Sequence, residues 1–311
     1  MLDGRTQQQP VPPEFLAPLV DATIHLSDPE TLRQAFCDEG YLLLRDVLDR
    51  TNVLAARREV FTRLAEVDEI QSPPEAGIAT GSSRRRELAG DLGAFWKSVS
   101  EGPALRRVTH GSRLRELAAL LFDAPARPHD YLFLRPAPVG NATNLHYDYP
   151  FFAGGASRIA TCWIPLGEIP VGDGPLIVVE HSHRFADLIE PIRAACLGSD
   201  ARSFAAAQDA AYQASATDTL EFVRSRKTRL LTAHFQPGDL IIFSGFTMHG
   251  SFDNHSSLNR VRLSVDVRYQ PAAEPATDTR FFGPHPTGAK GGSFGEQKAA
   301  QPLGTPWVAR Q

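Results

Sequence analysis

The stretch NLHYDYPFF, residues 144–152, sets an imidazole and a carboxylate two positions apart. In an extended chain, side chains at i and i+2 point the same way. Asn144, His146 and Asp148 therefore share one face, and Leu145, Tyr147 and Tyr149 share the other. An imidazole and a carboxylate on one face can hold the same cation. A second histidine would complete the two-His, one-carboxylate set with open positions that non-haem Fe(II) oxygenases use. Among ten histidines, His249 stands out because it ends the apolar run GDLIIFSGFTMHG; His181, His183, His234 and His255 are rivals near other strand ends.

A second group of residues could serve a co-substrate. NRVRLSVDVRY alternates, with Val261, Leu263, Val265 and Val267 on one face and Arg260, Arg262, Ser264, Asp266 and Arg268 on the other. Burying so many polar groups in a dry core would cost too much. That face must meet water or a polar cavity, and an apolar outer face with helices to cover it favours the cavity. An arginine there is a fork for a carboxylate.

Strands must position both groups. From Asp130 onward, short apolar runs alternate with Pro and Gly: DYLFLRP, TNLHYDYPF, SRIATCWIPL, GPLIVVEHS, RLLTAHF, GDLIIFSGF and NRVRLSVDVRY. Many short strands punctuated by turn residues predict a sandwich or barrel. The chain is thus mainly β with flanking helices. Upstream, Asp28 and Pro29 predict a helix start and Gly40 its stop. The strand YLLLRDV follows. Val53, Ala56, Val60, Leu64 and Val67 recur at helical spacing, and a further helix is expected at 112–122. Residues 71–93 read as a long loop, with Arg84, Arg85 and Arg86 solvated. A single domain is expected: a loosely ordered N-terminus (1–20), a helical flank (21–129), a β core (130–270) and an irregular tail (271–311). Segment 184–229 interrupts the core as a lid or as outer helices.

The formal charge of −4 argues against a nucleic-acid footprint, which needs a basic domain. Cys37, Cys162 and Cys196 form no CxxC pair, which fits a reducing compartment. With no apolar leader or membrane-length run, a cytoplasmic location is expected.

The ordered set His146-x-Asp148, His249 and Arg260 eleven residues later resembles the phytanoyl-CoA dioxygenase family of Fe(II)- and 2-oxoglutarate-dependent oxygenases. The segments GDLIIFSGFTMHGSFDNHSSLNRVRLSVDVRY, IATCWIPLGEIPVGDGPLIVVEHSH and EGYLLLRDVLDR are similar to that family's motifs, and the likeness covers about residues 30–270. It departs at residues 180–183, where EHSH keeps only the last two positions of the family's Pro-Gly-Ser-His turn. The resemblance implies a double-stranded β-helix, or cupin-like jelly roll. It implies His146, Asp148 and His249 as iron ligands and Arg260 as the clamp for 2-oxoglutarate, with Trp163 lining the co-substrate pocket; Thr161 shares the strand face of Trp163 and is a further candidate there. Arg262 forms an Arg-x-Ser pair with Ser264 on the same face and is the alternative clamp; the spacing from His249 favours Arg260. Asn144, on the metal face, is a further contact for co-substrate or substrate.

The resemblance also implies that O₂ and 2-oxoglutarate are consumed, with succinate and CO₂ released and an unactivated C–H bond of a small metabolite hydroxylated. Related halogenases carry a small residue in place of the carboxylate ligand, so Asp148 points to hydroxylation. An excess of arginine near the expected cavity mouth suggests a substrate with an anionic group, with Arg158 as its contact. Three other classes stay open on the residues alone. They are a cupin-type metalloenzyme without 2-oxoglutarate, a non-catalytic binding barrel, and a zinc hydrolase with Glu168 or Glu180 as base.

Overall fold

Alternating strands that are apolar on one face and mixed on the other need a partner layer on each side, and that requirement organises the molecule. The computed structural model describes residues 3–152, 156–197, 218–288 and 298–305. Eleven strands are formed among them: β1 (Arg5–Thr6), β2 (Gln9–Pro10), β3 (Leu16–Pro18), β4 (Tyr41–Leu44), β5 (Ala126–Ala137), β6 (Ala160–Pro165), β7 (Leu176–Val179), β8 (Leu230–Thr232), β9 (Leu240–Ser244), β10 (His249–Ser251) and β11 (Arg262–Pro271). One sheet has the order β4-β9-β6-β11-β5 and the other β10-β7-β8-β3, with β1 and β2 forming a separate ribbon. All pairings are antiparallel except β3 with β8. Non-sequential neighbours in two facing sheets make this a jelly roll.

The period-2 pattern sorts side chains cleanly. On the larger sheet, Leu42, Leu44, Leu134, Cys162, Ile164, Ile242, Leu263, Val265 and Val267 point outward into a helical layer. That layer contains α1 (Pro29–Glu39), α2 (Arg50–Ala65), α3 (Arg85–Leu88), α4 (Leu92–Ser100), α5 (Pro103–Thr109) and α6 (Ser112–Phe122). Helix α1 starts at Asp28, whose side chain accepts from the Thr31 amide at 3.3 Å, and ends at Gly40 with φ 77°. Helix α2 buries Val53, Ala56, Val60 and Leu64, the positions its spacing marks out. Each buried valine and leucine contributes about 1.5–3 kcal/mol, and the Ala56 methyl about 0.8 kcal/mol.

Between the sheets, Tyr41, Leu43, Trp163, Ile241 and Phe243 of the larger sheet meet Leu176, Val178 and Leu231 of the smaller. This apolar packing fills one end of the sandwich and leaves the β5–β11–β10 end for polar groups. Behind the smaller sheet lie α7 (Tyr149–Phe152), α8 (Ala186–Leu197) and α9 (Thr219–Arg226), which bring Tyr149, Ile189, Ile192, Leu220 and Val223 to the buried cluster that holds Ile177 and Val179. Residues 198–217 of the expected insertion lie outside the described residues.

Three expectations are corrected. The N-terminus is built in: β3 extends the smaller sheet, and Val11, Ala17 and Leu19 are buried. The expected strand TNLHYDYPF, residues 143–151, is a single bridge, His146 opposite His249, followed by α7. The arginine triplet is not simply solvated. Arg85 is fully buried, paired with Glu69 at 2.6 Å. Its Nη1 donates to the carbonyls of Ala299, Ala300 and Gln301, so it ties the C-terminal segment to the helical layer. Arg85→Gln is expected to lower unfolding free energy by on the order of 3 kcal/mol, because Glu69 is left as an uncompensated buried charge. Urea titration measures that loss, and limited proteolysis should find cleavage near residues 298–305.

No helix among the described residues is long and apolar enough to cross a membrane.

Candidate active site

His146 and His249 face each other across a two-way backbone bridge, with N–O distances of 2.9 and 3.0 Å. Gly250 permits this approach, since a Cβ there would lie 2.6 Å from the Thr143 carbonyl oxygen. Each imidazole is oriented by its own turn of chain. Nδ1 of His146 donates to the Asn144 carbonyl at 2.8 Å, and Nδ1 of His249 to the Thr247 carbonyl at 3.0 Å. A carbonyl can only accept, so both protons sit on Nδ1 and both Nε2 lone pairs are free.

Those lone pairs converge on Asp148. Its Oδ1 lies 3.6 Å from Nε2 of His146 and 3.9 Å from Nε2 of His249. The three ligand atoms lie within 4.8 Å of one another. The other carboxylate oxygen is already occupied: Oδ2 accepts from Thr161 Oγ1 at 2.6 Å and from Arg268 Nη2 at 2.6 Å. One oxygen is thus held by protein and one is presented beside two imidazole lone pairs. That donor set fits a divalent first-row cation such as Fe(II).

The electrostatics agree with that role. Burial and the neighbouring His146 push the His249 imidazole down to about 3, so it stays neutral and ligand-competent near neutral pH. Burial opposes ionisation of Asp148, but the paired Arg268 guanidinium outweighs it and holds the carboxyl well below its usual range. Arg268 itself is 1% exposed and lies between the rings of Phe133 and Phe152, 4.2 and 4.8 Å from their centroids.

A cavity opens beside the triad, lined by Arg135, Thr143, His146, Trp163, Leu176, His249, Gly250, Ser251, Arg262 and Asp266. Within it, Arg262 is 3% exposed. Its Nε donates to the Gly174 carbonyl at 3.1 Å and its Nη1 to Ser264 Oγ at 2.8 Å; among the described residues it pairs with no carboxylate. Burial and the nearby Arg135 lower it to about 10, so it remains charged at neutral pH.

The structure separates Arg262 from Arg260. Strand β11 begins at Arg262, but Val261 still packs with Leu263, Val265 and Val267 in the outer cluster, so the alternation runs back past the strand's first residue. What sets Arg260 apart is its partner. Its side chain is one-third exposed and forms a two-point pair with Asp173 at 2.6 and 3.1 Å. Gly174, at φ 75°, separates the two arginines: Asp173 takes Arg260 outside, and the Gly174 carbonyl takes Arg262 inside. Arg260 is not among the residues that line the cavity, whereas Arg262, the alternative clamp, is.

The remaining residues divide similarly. Trp163 lines the cavity and packs on Phe235. Thr161 serves the Asp148 carboxylate, not the cavity wall. Ser264 supports Arg262. Asn144 acts through its backbone carbonyl on His146. Arg158 is exposed and bonded to Glu274, away from the cavity, so it is not the anion contact expected of it. Glu168 and Glu180 pair with His234 and Arg229, far from any general-base position. Residues not singled out in advance are Ser251 and Thr143 of the lining and the Arg268–Asp148 pair. The β11 alternation puts Arg268 on the inner face, but its partner depends on the fold.

The phytanoyl-CoA dioxygenase family model matches residues 36–261. The chain belongs to this family. Members are Fe(II)- and 2-oxoglutarate-dependent oxygenases, and this protein is such an enzyme, with Fe(II) as its metal and 2-oxoglutarate and O₂ as co-substrates. Two curated relatives in the family are named 1-deoxypentalenic acid 11-beta-hydroxylase. The one from Streptomyces exfoliatus is 27% identical over 284 residues, covering 84% of this chain and 87% of the relative. The one from Streptomyces arenae is 26% identical and covers 93% and 96%. Among solved structures, the non-heme alpha ketoglutarate dependent carbocyclase SnoK from nogalamycin biosynthesis superposes with a TM-score of 0.52 at 21% identity, covering 84% of this chain and 92% of that one. At that identity the likeness concerns the fold.

Within the family site, Thr161→Val is expected to weaken Fe(II) binding by roughly tenfold, because it removes a hydrogen bond that orients the ligand carboxylate. Competition with a metal-sensing dye reads this directly. Unchanged affinity would leave Arg268 as sole support of Asp148 Oδ2.

Proposed function

We infer that this enzyme hydroxylates an unactivated C–H bond of a small-molecule metabolite and releases succinate and CO₂. One observation carries the reading: a His146–Asp148–His249 cation site shares a cavity with Arg262, a buried guanidinium that has no carboxylate partner among the described residues. Iron held by the triad supplies the oxidative decarboxylation of 2-oxoglutarate and the oxidant for the C–H bond. The protein's residues bind, orient and shield.

Arg262, steadied by Ser264 and the Gly174 carbonyl, offers charge and hydrogen-bond donors to the distal carboxylate of 2-oxoglutarate. Trp163 and Leu176 form apolar wall on the same cavity. Thr161 and Arg268 keep Asp148 in one orientation, with one oxygen directed at the metal position. Because Asp148 fills the carboxylate position, a halide has no vacated ligand site, and hydroxylation is favoured over halogenation. The relatives' names as hydroxylases point the same way. A metalloenzyme that ignores 2-oxoglutarate would have no use for a buried, unpaired Arg262.

The test is anaerobic titration of Fe(II)-loaded protein with 2-oxoglutarate, followed by succinate release against a metabolite panel in air. Binding that needs both iron and Arg262, and succinate matched by hydroxylated product, is the expected result. Iron-loaded protein that fails to bind 2-oxoglutarate, or a chlorinated product formed in chloride buffer, would sink the reading.

A further inference from the structure

Strand β5 brings Arg135 into the cavity beside His146, in cross-strand register with Ser264. Its Nε donates to Asp266 Oδ2 at 2.6 Å, and its two terminal nitrogens have no partner among the described residues. Asp266 cannot neutralise it fully, because the same oxygen also lies 3.7 Å from Arg268.

The cavity charge is therefore unbalanced. Three guanidiniums, on Arg135, Arg262 and Arg268, face two carboxylates, on Asp148 and Asp266. The two charges of Fe(II) are matched by the two of 2-oxoglutarate. With both imidazoles neutral as ligands, one positive charge is left after metal and co-substrate are in place. In a low-dielectric cleft an unmatched cation draws an anion. Arg262 is committed by its Ser264 support, and Arg268 is committed to Asp148. Arg268 also keeps Nε and Nη1 without a hydrogen-bond partner, but it is 1% exposed and does not line the cavity, whereas Arg135 is partly exposed, lines the cavity and offers its free donors there.

The surroundings of Arg135 are aromatic. Phe133 lies 5.7 Å from its guanidinium carbon, and Phe151 lies 6.3 Å from the His146 ring. Both phenylalanines are only partly buried, against a cluster of Tyr131, Phe152, Phe281 and Phe282. An apolar surface thus borders both the metal ligand and the free guanidinium.

We propose that Arg135 is the substrate-recognition residue and that the substrate is an apolar monocarboxylic acid, its carboxylate on Arg135 and its carbon body on Phe133 and Phe151. This rests on the 2-oxoglutarate reading above. It differs from a second co-substrate clamp, which would leave no free positive charge for the substrate.

The experiment uses full-length protein loaded with Fe(II) under anaerobic conditions. In the first arm, 2-oxoglutarate is titrated into wild type, Arg135→Gln and Arg262→Gln. Arg135→Gln should bind it within about threefold of wild type, while Arg262→Gln weakens it by tenfold or more. In the second arm, apolar monocarboxylic acids, each paired with its methyl ester, are scored by perturbation of the Fe(II)–2-oxoglutarate absorption band and by succinate release in air. Acids should act on wild type and esters should not. Arg135→Gln should lose the response to acids by about tenfold or more, and Arg135→Lys, which keeps the charge, should retain part of it.

Several results would overturn the proposal: esters acting as well as acids, an unchanged response in Arg135→Gln, silence from every acid, or 2-oxoglutarate binding lost equally in Arg135→Gln and Arg262→Gln. Failure of wild type to bind 2-oxoglutarate would instead strike the underlying reading. Normal 2-oxoglutarate binding by Arg135→Gln also certifies that the variant is folded.

Discussion

Asp148→Ala protein is expected to show no turnover and, when metal-free, to unfold with about 3–5 kcal/mol less free energy than wild type. The two effects have separate origins. Turnover is lost because Asp148 supplies the carboxylate of the cation site. Stability is lost because Arg268, buried between Phe133 and Phe152, would keep its charge and lose its strongest partner. Asp148→Asn separates them: its amide oxygen can still accept from Thr161 and Arg268, so stability should fall less, while iron affinity still drops with the lost charge. Urea unfolding of the metal-free proteins and Fe(II) competition titrations make the comparison. Equal stability of Asp148→Ala and wild type would mean that Asp266 alone satisfies Arg268.

The second large effect concerns the two arginines that spacing could not separate. Arg262→Gln is expected to weaken 2-oxoglutarate binding by about 2–4 kcal/mol, roughly 30- to 1000-fold, as for loss of one partner in a buried charged pair. Arg260→Gln should change it by less than about threefold, because Arg260 is spent on Asp173 outside the cavity. Isothermal titration of Fe(II)-loaded proteins measures both. A reversed order would return the clamp to Arg260 and require its side chain to leave Asp173.

Much of the architecture is legible without coordinates, because it rests on local rules. Helix α1 forms where Asp28, Pro29 and Gly40 punctuate the chain, and α2 buries the residues that recur at helical spacing. The outward apolar and inward polar faces of β11 follow from alternation alone. Where prediction failed, a distant partner decided. Arg85 looked solvated because Glu69 and the carbonyls of Ala299, Ala300 and Gln301 are remote in sequence. Arg158 looked like a cavity arginine until Glu274 came to it. The N-terminus looked loose because a three-residue strand gains stability only from the sheet it joins.

The amino-acid sequence by itself determined the ligand types, their order along the chain and the strand faces that carry them: His146 and Asp148 at i and i+2, then a distant histidine and an arginine-bearing strand. Tertiary structure alone decided which atoms of these residues are available. The carbonyls of Asn144 and Thr247 leave both Nε2 lone pairs free, Thr161 and Arg268 occupy one oxygen of Asp148, Asp173 pairs with Arg260, and the Gly174 carbonyl accepts from Arg262. The physical reason is that side-chain type and periodicity are local properties, whereas the hydrogen bonds and charges that tune a site come from segments joined only when the two sheets close.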